Sequence, residues 1–280
     1  MKINKPKTTK LTGHNYDPTM FIPMKSGLAI DYCLSTEGGL YPGTNYMVIG
    51  DPGIGKSTIM LEYLTKLNND KKVLYISAEM NRIDMYGYIQ RYPKMAEIET
   101  LFFTDLEDDD IYGQLKLLLQ EGFDIVLIDS FIEVQETIVE SNNFKRKEAE
   151  SKIIDLLIQN NEGYNDAKKY TSFLIIQQLT KGGTFVGSNK LKHNTTGMIE
   201  LRFDKKSKDR RISVTKNRRG SKHDIIYFEF GDGKTIYNER LLSLNTLAGD
   251  LWETEKNTQK TLNDRFDSLD FSLNETKNVF

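Results

Sequence analysis

Cysteine is almost absent from this chain of 280 residues: Cys33 stands alone. That excludes an internal disulfide and any four-cysteine zinc site, and a reducing, cytoplasmic setting is the expectation. Long apolar runs are missing too. No stretch approaches the ~20 residues of a membrane-crossing helix, and Met1 to Asn15 has no apolar centre of a secretion signal. No membrane partner is expected. Internal repeats are not visible, and neither sign of charge prevails: 38 basic residues against 40 acidic ones leave a net charge of −2. The total conceals local segregation, because Lys205, Lys206, Lys208, Arg210, Arg211, Lys216, Arg218 and Arg219 crowd together. Such a cluster suits a polyanion, or is simply a solvated basic face.

What is present describes a polar globular protein. Hydrophobic residues make up 38% and charged residues 28%, enough to bury a sizeable core as one large domain or two small ones.

The chain is organised around Gly50, Asp51, Pro52, Gly53, Ile54, Gly55, Lys56 and Ser57, followed by Thr58. This run fits the phosphate-loop pattern G-x-x-x-x-G-K-[ST]. The glycines let the backbone curl so that successive N–H groups point at an anion. Lys56 can reach the outer phosphates, the Ser57 hydroxyl can sit on Mg²⁺, and the helix that starts here adds its positive end. The flanks agree: Asn45 to Ile49 is a buried-strand run, and Ile59, Leu61, Leu64 and Leu67 form a helical stripe. A bound nucleoside triphosphate is the expectation, ATP with Mg²⁺.

In chain order, residues 1–20 read as a flexible arm, 21–250 as the folded domain and 251–280 as a polar, disordered tail. Strands are expected at Lys72 to Ser77, Thr100 to Phe103, Asp124 to Asp129 and Phe173 to Gln177. Helices are expected from Ile83 to Arg91, before Pro93, and from Ile111 to Gln120. Gln135 to Lys147 reads as a loop or the frayed start of a helix running to about Asn160. A glycine-bearing loop is expected over Gly182 to Asn194. Met198 to Phe203, Arg211 to Thr215 and Asp224 to Phe230 alternate and read as antiparallel edge strands. The sum is an α/β fold of three layers with a mixed sheet.

Three strand ends carry candidate chemistry. Asp129 closes an apolar strand beside Ser57 and can hold Mg²⁺, usually through water, or merely cap a turn. Glu79 ends the second strand at the same edge, where a carboxylate can orient or deprotonate the attacking water; a solvated loop glutamate is the plain alternative. Gln178 ends the strand after that of Asp129 and can feel the γ-phosphate, or serve as a turn hydrogen-bonder.

Taken together, Gly38 to Gly43 (G-G-L-Y-P-G), Ile49 to Thr58 (I-G-D-P-G-I-G-K-S-T), Leu74 to Glu79 (L-Y-I-S-A-E), Leu179 to Gly182, Gly187, Leu191, His193 and Lys216 to Gly220 (K-N-R-R-G) resemble the RecA superfamily. The branch most similar is the RadA/Sms-type ATPases, akin to replicative hexameric helicases. The resemblance runs from about Pro23 to Phe230. It implies a RecA-like three-layer αβα P-loop NTPase core, a mostly parallel sheet with antiparallel C-terminal strands, assembled as a ring or filament with ATP at subunit interfaces. By that resemblance Glu79 is the catalytic glutamate, Asp129 the metal-linked aspartate and Gln178 the sensor. Lys216 and Arg218 would reach a neighbouring subunit's γ-phosphate, and their i, i+2 spacing on one strand agrees with a shared direction. The loops after Asp129 (about Gln135 to Arg146) and after Gln178 would face DNA, with Lys181, Lys190, Lys192 and His193 on the phosphates of a single strand.

Departures exist. The four-cysteine zinc module and protease-like domain of RadA-type proteins and the helical domain of the helicases are not among these residues. Arg219 stands where the family has Phe, and the DNA-facing loops hold few aromatics. The resemblance thus implies an ATPase core acting on single-stranded DNA in recombination, repair or replication, in the cytoplasm of a bacterial or phage-infected cell. A regulatory ATP switch similar to KaiC, whose assembly binds proteins rather than DNA, is the second reading. A small-molecule phosphotransferase is a third, without an acceptor motif. The tail, with Asp264, Asp267, Asp270 and terminal Val279 and Phe280, is a candidate for a protein partner or a screen over the DNA site.

Overall fold

Six consecutive buried residues, Asn45–Gly50, form β1, the strand that delivers the phosphate loop. A strand with every residue buried lies between neighbours on both sides and beneath helices on both faces. In the computed structural model, which describes residues 17–106, 110–178, 189–221 and 225–237, β1 pairs in parallel with β5 (Ser172–Gln178) and with β6 (Gly197–Phe203). Outward from β5 lie β4 (Ile125–Asp129), β2 (Val73–Ser77) and β3 (Thr100–Phe102), all parallel. Outward from β6 lie β7 (Arg210–Asn217), β8 (Ile225–Gly231) and β9 (Lys234–Tyr237), joined antiparallel. The sheet order is therefore β3-β2-β4-β5-β1-β6-β7-β8-β9.

Alternate side chains divide the core in two, as the two-residue period of a strand requires. On one face Tyr46, Val48, Tyr75, Leu127 and Ile176 meet Ile59, Leu61 and Leu64 of α2 (Lys56–Leu67) and Met85 of α3 (Arg82–Arg91). On the other, Met47, Ile49, Ile76, Ile128 and Ile175 meet α4 (Ile111–Gln120), α5 (Phe131–Asn142) and α6 (Arg146–Asn161). A short α1 (Asp31–Leu34) precedes β1, and α7 (Asn189–Asn194) precedes β6. The expected three-layer α/β fold, mostly parallel with antiparallel C-terminal strands, is what forms. No helix among the described residues is long and apolar enough to cross a membrane.

Four local expectations need correction. Gln135 to Lys147, expected as a loop or the frayed start of a helix running to about Asn160, is instead the end of one helix, α5, and the start of another, α6, which does run to Asn161; Asn143, left-handed at φ 52°, divides them. Phe131, Val134 and Ile138 bury one face of α5, and that stripe outweighs the polar residues around it. Of the glycine-bearing loop expected over Gly182 to Asn194, residues 189–194 are described, and they form helix α7. Met198 to Phe203 pairs antiparallel only with β7, since its other neighbour, β1, runs parallel to it. The fourth strand of the C-terminal set, β9, was not foreseen; its backbone is fastened to α2 where Thr235 N–H donates to buried Glu62 at 2.9 Å. Residues 1–16 of the expected arm, 238–250 of the expected domain and the tail lie outside the described residues, and the end of the arm enters a 3-10 turn, Pro18–Phe21.

Candidate functional site

The loop between β1 and α2 is shaped by three glycines at positive φ. Gly50 lies against the carbonyl of Leu201, Gly53 takes φ 72° and Gly55 φ 105°. Any Cβ at Gly55 would run into the ring of Phe230. Fully buried Ile54 pins the loop to the core. Gly55 is the N-cap of α2 and offers no side-chain acceptor, so the first N–H groups of the helix remain directed at whatever anion sits in front of them. Lys56 folds back over the loop, donating to the carbonyls of Gly50 at 3.0 Å and Asp51 at 3.1 Å. Burial lowers its pKa, while the charges of Glu79, Asp129 and Asp51 oppose that fall.

Asp129, wholly buried at the end of β4, accepts from the Ser57 hydroxyl at 2.5 Å and from the Tyr75 hydroxyl at 3.4 Å on one carboxylate oxygen. Its other oxygen, Oδ1, is buried with no hydrogen-bond partner among the described residues. Burial first, then the charge of Glu79, pushes this carboxyl up to about 6; Ser57 and Lys56 pull the other way. A hydroxyl beside a buried carboxylate with an unused oxygen is a donor set that suits a hard divalent cation completing its shell with water and phosphate oxygens. Ser57 and Asp129 therefore fit Mg²⁺.

Glu79 follows β2, and its backbone N–H donates to the Asp129 carbonyl at 3.1 Å, locking the two strand ends together. Its side chain is exposed. Gln178 ends β5 in register with Gly50. Lys56, Ser57, Thr58, Glu79, Asp129 and Gln178 all line one cleft of about 390 Å³. The cleft has a second wall that motif reading missed: Tyr88, Arg91 and Tyr92 at the end of α3, with Arg210 from β7 and Phe230 from β8. The alternation Phe228, Glu229, Phe230 was the one hint, since it sends two rings to a single face of β8.

Lys216 and Arg218 lie elsewhere. Lys216 stands level with Met198 and so with Met47, three rungs from Gly50, about 10 Å along the strands. It donates to the carbonyls of Lys192 and Thr195, each at 2.7 Å, at the edge of the sheet opposite the phosphate loop. Burial and the neighbouring cations Arg218 and Lys192 lower its pKa. Arg218 donates to the His193 carbonyl at 3.0 Å. Lys190, Lys192 and His193 are exposed on α7, with Lys190 Nζ on the Ser151 hydroxyl at 2.9 Å. Lys181 lies outside the described residues. The stretch Gln135 to Arg146, expected to face DNA as a loop, is helical through Asn142.

This arrangement has known counterparts. The chain is 27% identical over 201 residues to the DNA repair protein RadA of Streptococcus pyogenes serotype M6, covering 71% of this chain and 42% of that one. It is 28% identical over 195 residues to RadA of Aquifex aeolicus, 70% of this chain and 42% of that one. These likenesses support a P-loop ATPase of the RecA superfamily, similar to RadA. The chain spans about two fifths of the length of those relatives. A family model described as the P-loop domain of the gas vesicle protein GvpD matches residues 40–178. In three dimensions the chain resembles the KaiC-like protein PH0186 of Pyrococcus horikoshii, with a TM-score of 0.61, 18% identity, 78% of this chain and 99% of that one. It also resembles the RadB recombinase, with a TM-score of 0.54, 19% identity, 76% of this chain and 98% of that one. These two likenesses speak to the fold alone.

Proposed function

We propose that this chain binds ATP with Mg²⁺, hydrolyses it, and acts on single-stranded DNA in recombination, repair or replication, as a homo-oligomer with ATP at subunit interfaces. The observation that carries the reading is the Ser57–Asp129 hydrogen bond of 2.5 Å, made at a phosphate loop whose cleft also holds Glu79 and Gln178.

The N–H groups of the loop and first turn of α2 cradle the phosphates, and Lys56 turns from the loop carbonyls onto the outer ones. Bound Mg²⁺ supplies charge neutralisation to phosphate oxygens. Glu79, exposed and close enough to feel Asp129, orients the attacking water and takes its proton. Gln178, aligned with Gly50, senses the outer phosphate. Lys216 and Arg218 sit too far along the strands to serve their own loop, which favours action on the site of a second copy, where such cations stabilise the charge of the transition state.

The DNA part of the reading rests on the exposed Lys190, Lys192 and His193 of α7 and on relatives named as DNA repair proteins. Steady-state ATP hydrolysis, measured with and without single-stranded DNA at low salt over a range of protein concentrations, tests the whole. Stimulation that fades with salt and with dilution is expected. A rate that rises with protein concentration yet ignores DNA would replace the DNA reading with that of an assembly switch. Hydrolysis by a strict monomer, indifferent to DNA, would overturn the proposal.

A further inference from the structure

The second wall of the cleft has a chemistry of its own. The Arg210 guanidinium lies over two rings, 5.3 Å from the centroid of Phe203 and 5.3 Å from that of Phe230. Its Nε is buried without a hydrogen-bond partner among the described residues. Phe230 is held in place from behind by an edge-on contact with Phe228 at 5.5 Å, and its ring lies over Gly55. From the other side comes Tyr88, whose hydroxyl is 3.4 Å from that of Thr58, with Arg91 stacked 5.0 Å over its ring. Two aromatic–arginine pairs, one from β7–β8 and one from α3, thus line the same cleft as the phosphate loop.

Arg210 lines the cleft with a guanidinium that can only donate, and the aromatic ring beside it offers a stacking platform. We propose that Phe230 and Arg210 form the base-selecting side of the nucleotide site. Phe230 stacks on a purine, and Arg210, a donor-only group, binds the acceptor edge of that base. Tyr88 and Arg91 close the slot opposite. This inference rests on the nucleotide-binding reading and adds the base preference to it.

Calorimetric titration with ATP, GTP, CTP and inorganic tripolyphosphate, each with Mg²⁺, tests it on the full chain, on Phe230→Leu and on Arg210→Lys. Leucine keeps apolar bulk at position 230 and removes stacking; lysine keeps the charge at 210 and removes the planar fork. The unaltered chain is expected to bind both purine nucleotides more tightly than CTP. Each variant should lose about tenfold in ATP affinity and shrink the gap to CTP, with tripolyphosphate affinity unchanged. Variants that bind ATP like the unaltered chain, or that lose tripolyphosphate as much as ATP, would overturn the inference and leave nucleotide binding standing. Failure of the unaltered chain to bind either ATP or tripolyphosphate would instead strike the nucleotide-binding reading itself, and the base slot with it.

Discussion

Arg218 donates to the backbone carbonyl of His193 at 3.0 Å, so one of the two cations read as serving a neighbouring site is tied to the helix read as facing DNA. Lys216 does the same through the carbonyls of Lys192 and Thr195. Cations on the last carbonyls of a helix satisfy groups that have no partner within it. Any displacement of α7 therefore displaces both side chains; on the proposed reading, DNA bound at α7 would have a short mechanical route to the phosphates of an adjoining copy.

If those cations act between copies, Lys216→Ala should lower ATP turnover by about 10³-fold or more while leaving ATP affinity of the isolated chain nearly unchanged. Lys56→Ala should also be inactive, for want of phosphate binding in its own loop. Mixing the two inactive variants should restore part of the activity, because some interfaces would pair an intact loop with an intact Lys216. Turnover assays of the mixture decide it. No recovery at any ratio would mean that Lys216 acts within its own chain.

Asp129 predicts an unusual pH response. Its folded pKa of about 6 lies above the ordinary value of 3.8, chiefly through burial. The native chain therefore keeps a proton in the window between those two values that the unfolded chain releases. The stability this confers is complete below the ordinary value and is lost as pH rises through about 6. Asp129→Asn stays neutral throughout, so at about pH 7.5 the ligand-free variant should be the more stable by on the order of 1–3 kcal/mol, the difference vanishing in acid, while hydrolysis is lost. Thermal unfolding across that range checks the sign. Lower stability of the variant near pH 7.5 would show that the ionised carboxylate is favoured where it stands.

Gly55 carries two constraints at once, a φ of 105° and the ring of Phe230 where a Cβ would be. Gly55→Ala should cost about 1–3 kcal/mol in stability and abolish tripolyphosphate binding as the loop shifts. Combining it with Phe230→Ala should recover part of the stability, since the steric conflict goes and the backbone strain stays. Denaturant unfolding of the single and double variants measures that coupling, and strictly additive losses would mean that Phe230 does not press on Gly55.

Much of the fold was legible before any coordinates. Strands buried on both faces must be apolar without interruption, so Asn45–Gly50, Ile125–Asp129 and Ser172–Gln178 announced themselves as short hydrophobic runs. The phosphate loop was legible because its chemistry demands fixed residues at fixed spacing. Asp129, Glu79 and Gln178 followed from one rule, that neighbouring parallel strands end at a common edge. Failure came where the signal was shared between polar and apolar neighbours. In α5 a narrow stripe of Phe131, Val134 and Ile138 is diluted by nine other residues, and β9 is only four residues long.

The sequence by itself determined a phosphate loop, the strand and helix on either side of it, and the acidic residues at the ends of two other strands, because each is a local pattern with a local cause. The tertiary structure alone decided the rest. Tyr88 and Phe230 are 142 positions apart in the chain and share a cleft only because β1 lies between the first half of the sheet and the strands that follow β6. Lys216 and Arg218 were legible as a pair, but their attachment to α7 and their separation from Gly50 depend on the register of β1, β6 and β7. Register is a property of paired backbones, and no single stretch of sequence carries it.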